Sequence, residues 1–298
     1  MQGFQGILPA VVTPFDDQER FHAGTFERLL QRMYNAEVDG VYVCGQTGEG
    51  MQQSSEQRKR VTEVAVKCSP PGKTVIVHVG AHSTAEAMQL SRHAHQVGAH
   101  AVSSLPPALN YSFEEVRAYY RQLAAASELP LLIYYFPSIC PAIRSLDDLS
   151  ELCAIPNVIG LKFTDSDLFR MSMIRRQGAV VFNGGDEMLV AGLLMGANGG
   201  IGSIYNLIPE EFVALYRLAA AGNWEGARQR QHSINEFISV ILRFPVHSAV
   251  KLLLDWSGLP CGTCIAPRTT FSVVAKDKLR TMVAQTPFKE KFCVSTPQ

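Results

Sequence analysis

Short apolar runs rich in β-branched residues recur along the chain, and each is followed by a segment with helical hydrophobic spacing. The apolar runs predict strands at 6–12, 40–44, 74–79, 99–103, 131–135, 158–163, 179–182 and 199–202. The segments between them predict helices at 24–36, 54–67, 84–97, 112–126, 145–153, 167–176, 186–195 and 209–221. Strict alternation indicates an α/β fold with a parallel sheet and crossover helices, and eight such units fit a (β/α)8 TIM barrel.

An open, doubly wound sheet is the structural alternative to a barrel. Its best sequence marker, a GxGxxG segment after the first strand, is missing from this sequence. Several predicted helices begin with capping-box patterns, in which Ser54 precedes Gln57 and Ser112 precedes Glu115 by three residues. We therefore expect the closed barrel.

The alternation stops after residue 221. Three further helices are predicted at 224–244, 247–256 and 269–284, with no strands between them. The sequence thus predicts a barrel with the active site over 1–222 and a C-terminal three-helix appendage over 223–298.

The charge balance and the cysteines exclude several classes of protein. The 298 residues include 27 Lys and Arg against 27 Asp and Glu, so nothing attracts nucleic acid or an anionic membrane in bulk. No stretch approaches the roughly 20 apolar residues of a membrane span, and the first residues lack the basic region of a secretory signal. The seven cysteines are scattered and odd in number. We expect a cytoplasmic protein with reduced thiols and a small-molecule partner.

The sixth predicted strand, VIGLKFT, carries one cation in an apolar run. Gly160, Lys162 and Thr164 share one face of this strand, and Leu161 and Phe163 share the other. Lys162 is therefore predicted to point into the barrel, where desolvation disfavours the charged form of a lysine. A neutral amine can attack a ketone and form a Schiff base that acts as an electron sink, so no cofactor is required. The alternatives are a lysine that reaches the surface or pairs with a buried acid.

Two other strand ends carry candidate chemistry. The fifth strand ends in Tyr134 and Tyr135, of which one must face inward, where it could relay protons or simply pack. The segment CGQTGEG follows the second strand, and its Gln46 and Thr47 offer donors suited to a carboxylate. An ordinary glycine turn is the alternative for this segment.

A second glycine-rich rim follows the seventh and eighth strands, in FNGGDE and GGIGS. Barrels often bind phosphate at this position, which makes a phosphate-binding enzyme one alternative. Asp186 and Glu187 would repel a phosphate, however, and suit the hydroxyls of a polyol better.

The sequence predicts no metal site. Cys261 and Cys264 form a lone CxxC without a second pair, and the neighbouring His93 and His95 fall inside a predicted helix. His78 and His82 flank the end of the third strand and could line the pocket, although a core or solvated histidine is the commoner situation. Lys251 is a weaker candidate nucleophile because it lies in the tail.

The motifs GQTGE, YYFP, GLKFT and NGGDE…GGIGS occur together in this order. The chain resembles the dihydrodipicolinate synthase/N-acetylneuraminate lyase family of class I, Schiff-base aldolases over essentially its whole length. The resemblance implies that Lys162 is the Schiff-base lysine and Tyr134 the proton relay, which places Tyr135 outward. It also implies that Thr47, with Gln46, holds the carboxylate of a pyruvate-like 2-oxo acid. Gln46 stands where the family usually has Ser or Thr.

The resemblance is closer to the lyase branch than to the synthase branch. The synthase branch has an arginine five residues after the relay tyrosine, where this chain has Ile139. It also lends a tyrosine across a subunit interface at the position of Leu109, with Tyr111 two residues further on. In the lyase branch, the sugar hydroxyls are bound by the equivalents of Gly184, Asp186, Glu187 and Ser203, and Thr164 is also lyase-like.

The resemblance therefore implies retro-aldol cleavage of N-acetylneuraminate or a related 2-keto-3-deoxy sugar acid to pyruvate and an aldehyde. The alternatives are dihydrodipicolinate synthesis, a dehydratase or deaminase on the same scaffold, and a 2-oxo acid binding protein without catalysis. The family also implies a homotetramer built as a dimer of dimers.

Overall fold

In a computed structural model that describes residues 3–107 and 110–292, the chain forms eight strands that alternate with helices. The strands are β1 Gly6–Pro9, β2 Gly40–Val43, β3 Thr74–His78, β4 Ala101–Ser104, β5 Leu131–Tyr135, β6 Val158–Phe163, β7 Val180–Asn183 and β8 Gly199–Gly202. Neighbouring strands pair in parallel, in the order β1-β8-β7-β6-β5-β4-β3-β2. The predicted α/β alternation is confirmed.

The sheet closes between β1 and β2. The Ala10 N–H donates to the Gly202 carbonyl at 2.9 Å, whereas the Val11 N–H donates to the Tyr42 carbonyl at 2.9 Å. Ala10 and Tyr42 also form an isolated parallel bridge. The first strand ends at Pro9, earlier than the predicted residue 12, because the chain leaves β8 at this point and crosses to β2. This closure confirms the TIM barrel.

Within the described ranges, each strand is followed by one α-helix of the barrel. These helices are α1 Ala23–Asn35, α2 Ser55–Cys68, α3 Thr84–Gln96, α4 Phe113–Ala124, α5 Leu146–Cys153, α6 Leu168–Arg176, α7 Leu189–Leu194 and α8 Pro209–Ala220. The prediction of one helix over 186–195 is wrong, because a 3-10 turn, Asp186–Met188, precedes α7. The Asp186 carbonyl accepts a hydrogen bond from the Gln231 side chain at 3.1 Å, and this long-range partner takes the place of a helical one.

One of the two predicted capping boxes is complete in the structure, and the other is formed only in part. Ser112 and Glu115 form the complete capping box that the sequence predicts. Ser54 accepts from the Gln57 N–H, but the Gln57 side-chain oxygen accepts from the Phe21 N–H instead of returning to the cap. The second predicted capping box is therefore wrong in its reciprocal half, since a neighbouring segment competes for the glutamine.

The apolar side chains divide into two layers. The larger layer lies between the strands and the surrounding helices, and the smaller one fills the barrel interior. The apolar side chains of this inner layer are Leu8, Ala10, Tyr42, Ile76, Ala101, Leu132, Val180, Phe182 and Ile201. Alternation along each strand assigns residues to the two layers. The interior is a packed core, so a ligand can enter only at one end.

Three helices follow the barrel, as predicted: α9 Trp224–Ile241, α10 Val246–Trp256 and α11 Val273–Val283. The last begins later than predicted because Ser272 caps it, its side chain accepting from the Ala275 N–H. Phe237 of α9 stacks on Phe292 with ring centroids 5.4 Å apart, so the last described residue packs against the first helix of the tail. In the described part of the chain no single helix could span a bilayer, although α9 and α10, bent by 107° at their break, together meet the length and composition required.

Candidate active site

Lys162 lies in the barrel interior near the carboxyl end of β6, and its side chain is almost completely buried. Leu161 and Phe163 belong to the outer layer against the helices, so the predicted alternation of faces is confirmed. Gly160 of the same strand lies against the backbone of β7: a Cβ at Gly160 would lie 1.8 Å from the Val180 carbonyl oxygen, and its φ is +154°.

Two tyrosine rings enclose the ammonium of Lys162. The Lys162 Nζ is 4.0 Å from the ring centroid of Tyr134, its direct register partner on β5. It is 4.6 Å from the ring centroid of Tyr42 on β2. The faces of both rings attract a cation, and the attraction is stronger where water is excluded. This arrangement favours a positive charge at the nitrogen, whether it is an ammonium or an iminium.

Tyr42 is a site residue that the sequence reasoning missed. Burial raises the pKa of its hydroxyl well above the ordinary value, with Tyr134 adding to this effect, so the hydroxyl stays protonated. It donates to the Ser103 Oγ at 3.1 Å. The available signal was its position in GVYVC, which is inward-facing by alternation with the two valines. Tyr135, by contrast, belongs to the outer layer, as the resemblance implies.

His78 lies beside the two tyrosines at the end of β3. Burial lowers its pKa well below the ordinary value, and repulsion from Arg58 and Lys162 lowers it further, so the ring is neutral. Its Nε2 accepts from the Leu105 N–H at 3.0 Å. Of the two histidines considered from the sequence, His78 is in the interior and His82 is exposed.

The turn after β2 carries Gln46 and Thr47. The Thr47 Oγ1 and the Ser203 Oγ are 2.6 Å apart, which joins the end of β2 to the end of β8 across 156 positions of sequence. A Cβ at Gly50 would lie 1.8 Å from the Cys44 carbonyl oxygen. Glycine at position 50 therefore allows the turn to pass close to the backbone of Cys44. Gln46 is half-buried.

The ends of β6, β7 and β8 form a polar rim. The hydroxyl of Thr164 is buried, and it has no hydrogen-bond partner within residues 3–107 and 110–292. A Cβ at Gly184 would lie 2.1 Å from that hydroxyl oxygen, so only glycine leaves the hydroxyl in place. Glu187 is exposed beside Gly184 at the same rim.

Asp186 is the buried acid of this rim. Its Oδ2 accepts from the Ile204 N–H at 2.7 Å, whereas its Oδ1 has no hydrogen-bond partner in the part of the chain described. Burial raises the pKa of Asp186 to about 7; the Ile204 N–H opposes this rise and the nearby Glu187 adds to it. A buried carboxyl with one unpaired oxygen is suited to a ligand hydroxyl.

Other groups singled out in the sequence lie outside this arrangement. Cys261 and Cys264 are buried free thiols, and burial raises the pKa of both. His93 contacts Glu63 on the helical surface. Among the described residues, no three His, Cys, Asp or Glu side chains are grouped to hold a metal. Leu109 lies outside the described residues, and the nearby Tyr111 packs against the outer layer.

Comparison with known proteins places these features in a family. The model of the dihydrodipicolinate synthetase family matches residues 3–286. The N-acetylneuraminate lyase of Rhizobium meliloti is 40% identical over 266 residues, which cover 88% of this chain and 89% of that protein. A solved structure of the wild-type sialic acid aldolase of Ruminococcus gnavus has a TM-score of 0.91 at 26% identity, over 98% of this chain and 97% of that one. A structure titled CdNal, from Clostridium difficile in complex with mannosamine, has a TM-score of 0.90 at 27% identity, over 97% of this chain and 99% of that one.

Proposed function

The chain belongs to the dihydrodipicolinate synthetase family, and we propose that it is a class I aldolase that cleaves N-acetylneuraminate, or a related 2-keto-3-deoxy sugar acid, to pyruvate and an aldehyde. The observation that carries this proposal is the position of Lys162, buried between two tyrosine rings and close enough to Asp186 to influence its pKa. The lyase and aldolase names of its relatives support the same reaction.

The Lys162 amine attacks the C2 carbonyl of the open-chain sugar acid, and water leaves as the iminium forms. The Tyr134 oxygen accepts the proton of the C4 hydroxyl as its own phenolic proton passes to the substrate carboxylate. The C3–C4 bond then breaks, its electron pair moves into the iminium to give an enamine, and the C4 fragment leaves as an aldehyde. The enamine takes a proton at C3, and hydrolysis of the new iminium releases pyruvate and restores the lysine. The rings of Tyr42 and Tyr134 stabilise the cationic nitrogen of the two iminium ions.

Substrate binding divides between the two rims. Gln46 and Thr47, with the turn that carries them, bind the carboxylate. Thr164, Gly184, Asp186, Glu187 and Ser203 bind the hydroxyls of the sugar chain. The unpaired oxygens of Thr164 and Asp186 support this assignment, because a polyol supplies the hydrogen bonds that both groups lack.

The synthase reaction is the alternative within the family. It would need a cation for the second carboxylate of its product, and Ile139 stands at the position of the expected arginine. The acids Asp186 and Glu187 also disfavour an anion at that rim. Both observations favour a polyol over aspartate semialdehyde, and over a phosphorylated substrate.

Borohydride trapping with pyruvate, followed by peptide mass spectrometry, tests this function. We expect a reduced pyruvate adduct on Lys162 and none in Lys162→Met, because only an imine is reduced to a stable linkage. Lys59→Met, which removes a surface lysine that contacts Glu56, is the matched control and should trap as the wild type does. No adduct with the wild type would refute Schiff-base chemistry with pyruvate.

Assays of pyruvate release or consumption with a panel of substrates distinguish the lyase branch of the family from the synthase branch. Release of pyruvate from N-acetylneuraminate or another 2-keto-3-deoxy sugar acid would support the lyase assignment and exclude a protein that only binds. Consumption of pyruvate with aspartate semialdehyde alone would replace that assignment with the synthase.

We also propose that the enzyme is a cytoplasmic homotetramer, a dimer of dimers, in which residues 1–222 form the barrel and 223–298 the appendage. The six described cysteines are free, which suits a reducing compartment. Phe169 of α6 and Leu194 of α7 expose large apolar side chains that a subunit contact would cover. Light scattering should give a mass near four times 32.7 kDa.

A further inference from the structure

The carboxylate of Glu49 is completely buried in the turn that carries Gln46 and Thr47. Its Oε1 lies 2.7 Å from the Nζ of Lys251, and the exposed fractions of the two side chains are 0% and 2%. Its Oε2 accepts from the Ile265 N–H at 2.7 Å. Both oxygens of this acid are thus bound by the C-terminal tail, although the acid belongs to a barrel loop.

The backbone of Glu49 closes that turn in an unfavourable conformation. Its φ is +54°, in the left-handed region that non-glycine residues seldom adopt. The Glu49 N–H donates to the Gln46 carbonyl at 3.1 Å, and the Gly50 N–H donates to the Gly45 carbonyl at 3.0 Å. Such a conformation persists when surrounding contacts hold it in place. The contacts that do so here are those of the Glu49 side chain.

Lys251 is itself held by three groups. Besides Glu49, its ammonium donates to the Thr263 carbonyl at 3.0 Å and lies 4.1 Å from the ring centroid of Phe15. Arg268 adds a second cation, with its Nε 3.9 Å from the Glu49 Oε2. These residues come from the loop after β1, from α10 and from the segment after α10. The C-terminal tail therefore places two cations, Lys251 and Arg268, in fixed positions beside the Glu49 carboxylate.

We propose that Glu49 and Lys251 are positioning residues for the 2-oxo acid carboxylate, and that the C-terminal tail is in this way part of the substrate site. The inference rests on the proposed function. The ion pair holds the turn in its left-handed form and so fixes the direction of the Thr47 hydroxyl and of the backbone N–H groups beside it. Neither Glu49 nor Lys251 touches the reacting atoms. Their loss weakens carboxylate binding without removing the nucleophile Lys162.

The first test is the pyruvate concentration that gives half-maximal borohydride trapping in Glu49→Gln. We expect this concentration to rise about tenfold, the size of effect typical of a lost hydrogen bond to a charged group. The maximal trapping rate should change less than about threefold, because the interaction serves substrate binding and not the chemical step. Glu225→Gln, which breaks an exposed ion pair with Arg228, should match the wild type.

Two more variants separate positioning from folding. Removing one partner of a buried ion pair leaves an uncompensated charge and can prevent folding, whereas replacing both partners avoids this. Glu49→Gln/Lys251→Met is therefore expected to fold and still to need about tenfold more pyruvate for trapping. Glu49→Gly tolerates the left-handed φ but lacks the anchor, and it should show the same rise.

The outcomes distinguish the two proposals. Failure of the wild type to form an adduct on Lys162 removes the proposed function. Normal trapping by the wild type, with an unchanged half-saturating concentration in the double variant, overturns the positioning role. A normal concentration in Glu49→Gly also overturns it, because the left-handed conformation alone would then suffice.

Discussion

Replacement of Tyr42 tests whether the aromatic enclosure of Lys162 contributes to catalysis. The Tyr42 ring is completely buried, with its centroid 4.6 Å from the Lys162 Nζ. A desolvated cation–π contact contributes about 2 kcal/mol. At about 1.4 kcal/mol for each factor of ten, its loss in Tyr42→Leu should lower the rate at which the neutral Lys162 amine forms the iminium about 30-fold. The Tyr134 ring, centred 4.0 Å from the same nitrogen, remains and prevents complete loss.

Tyr42→Phe is the matched control for this prediction. It keeps the ring face and loses only the hydroxyl that donates to Ser103 at 3.1 Å. We expect its rate to remain within about fivefold of the wild type, because a neutral hydrogen bond contributes only about 1 kcal/mol. Comparison of the two variants therefore separates the ring from the hydroxyl.

The assay is the initial rate of pyruvate trapping on Lys162, together with kcat/KM for pyruvate release. Truncation of a buried aromatic residue to alanine costs about 3–5 kcal/mol of stability, and leucine refills only part of that space, so rates must be measured well below the melting temperature of each variant. Trapping by Tyr42→Leu within threefold of the wild type would refute the electrostatic role. An equal loss in Tyr42→Phe would assign the effect to the hydroxyl.

Two further predictions concern Asp186 of the polar rim. In Gly202→Ala the new Cβ would lie 1.8 Å from the Asp186 Oδ1 and displace that carboxylate. The kcat/KM for sugar-acid cleavage should therefore fall about tenfold, whereas pyruvate trapping should stay near the wild-type level. An equal loss in both assays would contradict a role of Asp186 in hydroxyl binding. Burial raises the pKa of Asp186 to about 7, above its unfolded value near 4, so the folded state binds a proton between these values that the unfolded chain does not. The unfolding free energy of the wild type relative to Asp186→Asn should therefore rise as pH falls from about 8 to 5, by at most about 1.4 kcal/mol per pH unit, and a flat difference in denaturant titrations would show that the carboxyl is not perturbed.

Much of the fold could be predicted from the sequence because its signals are local. Strands buried on both faces read as continuous apolar runs, and the helices between them read as periodic segments, so the barrel order followed directly. The errors arose where a distant partner competed with a local one. The Gln57 side chain accepts a hydrogen bond from the Phe21 N–H instead of completing a capping box. The Gln231 side chain donates to the Asp186 carbonyl, at a position where an α-helix was expected.

The residues of the candidate site likewise include some that a local pattern predicts and some contacts that depend on distant parts of the chain. Alternation along a single strand was enough to place Lys162 in the interior, since it depends only on the two-residue period of β structure. It also made Tyr42 an inward-facing residue, but alternation specifies a face of the strand and not a partner on it. The contact between the Tyr42 ring and the Lys162 Nζ, which joins β2 to β6, required the closed barrel.

The sequence by itself determined the order of the elements, the inward lysine and the polar residues at the strand ends. Tertiary structure alone decided which of these groups meet: Thr47 with Ser203, and Glu49 with Lys251. The physical reason is that closure of the barrel and docking of the tail bring together residues far apart in the chain. Their pairing is fixed by strand register and packing, and no local pattern of hydrophobic and polar positions encodes it.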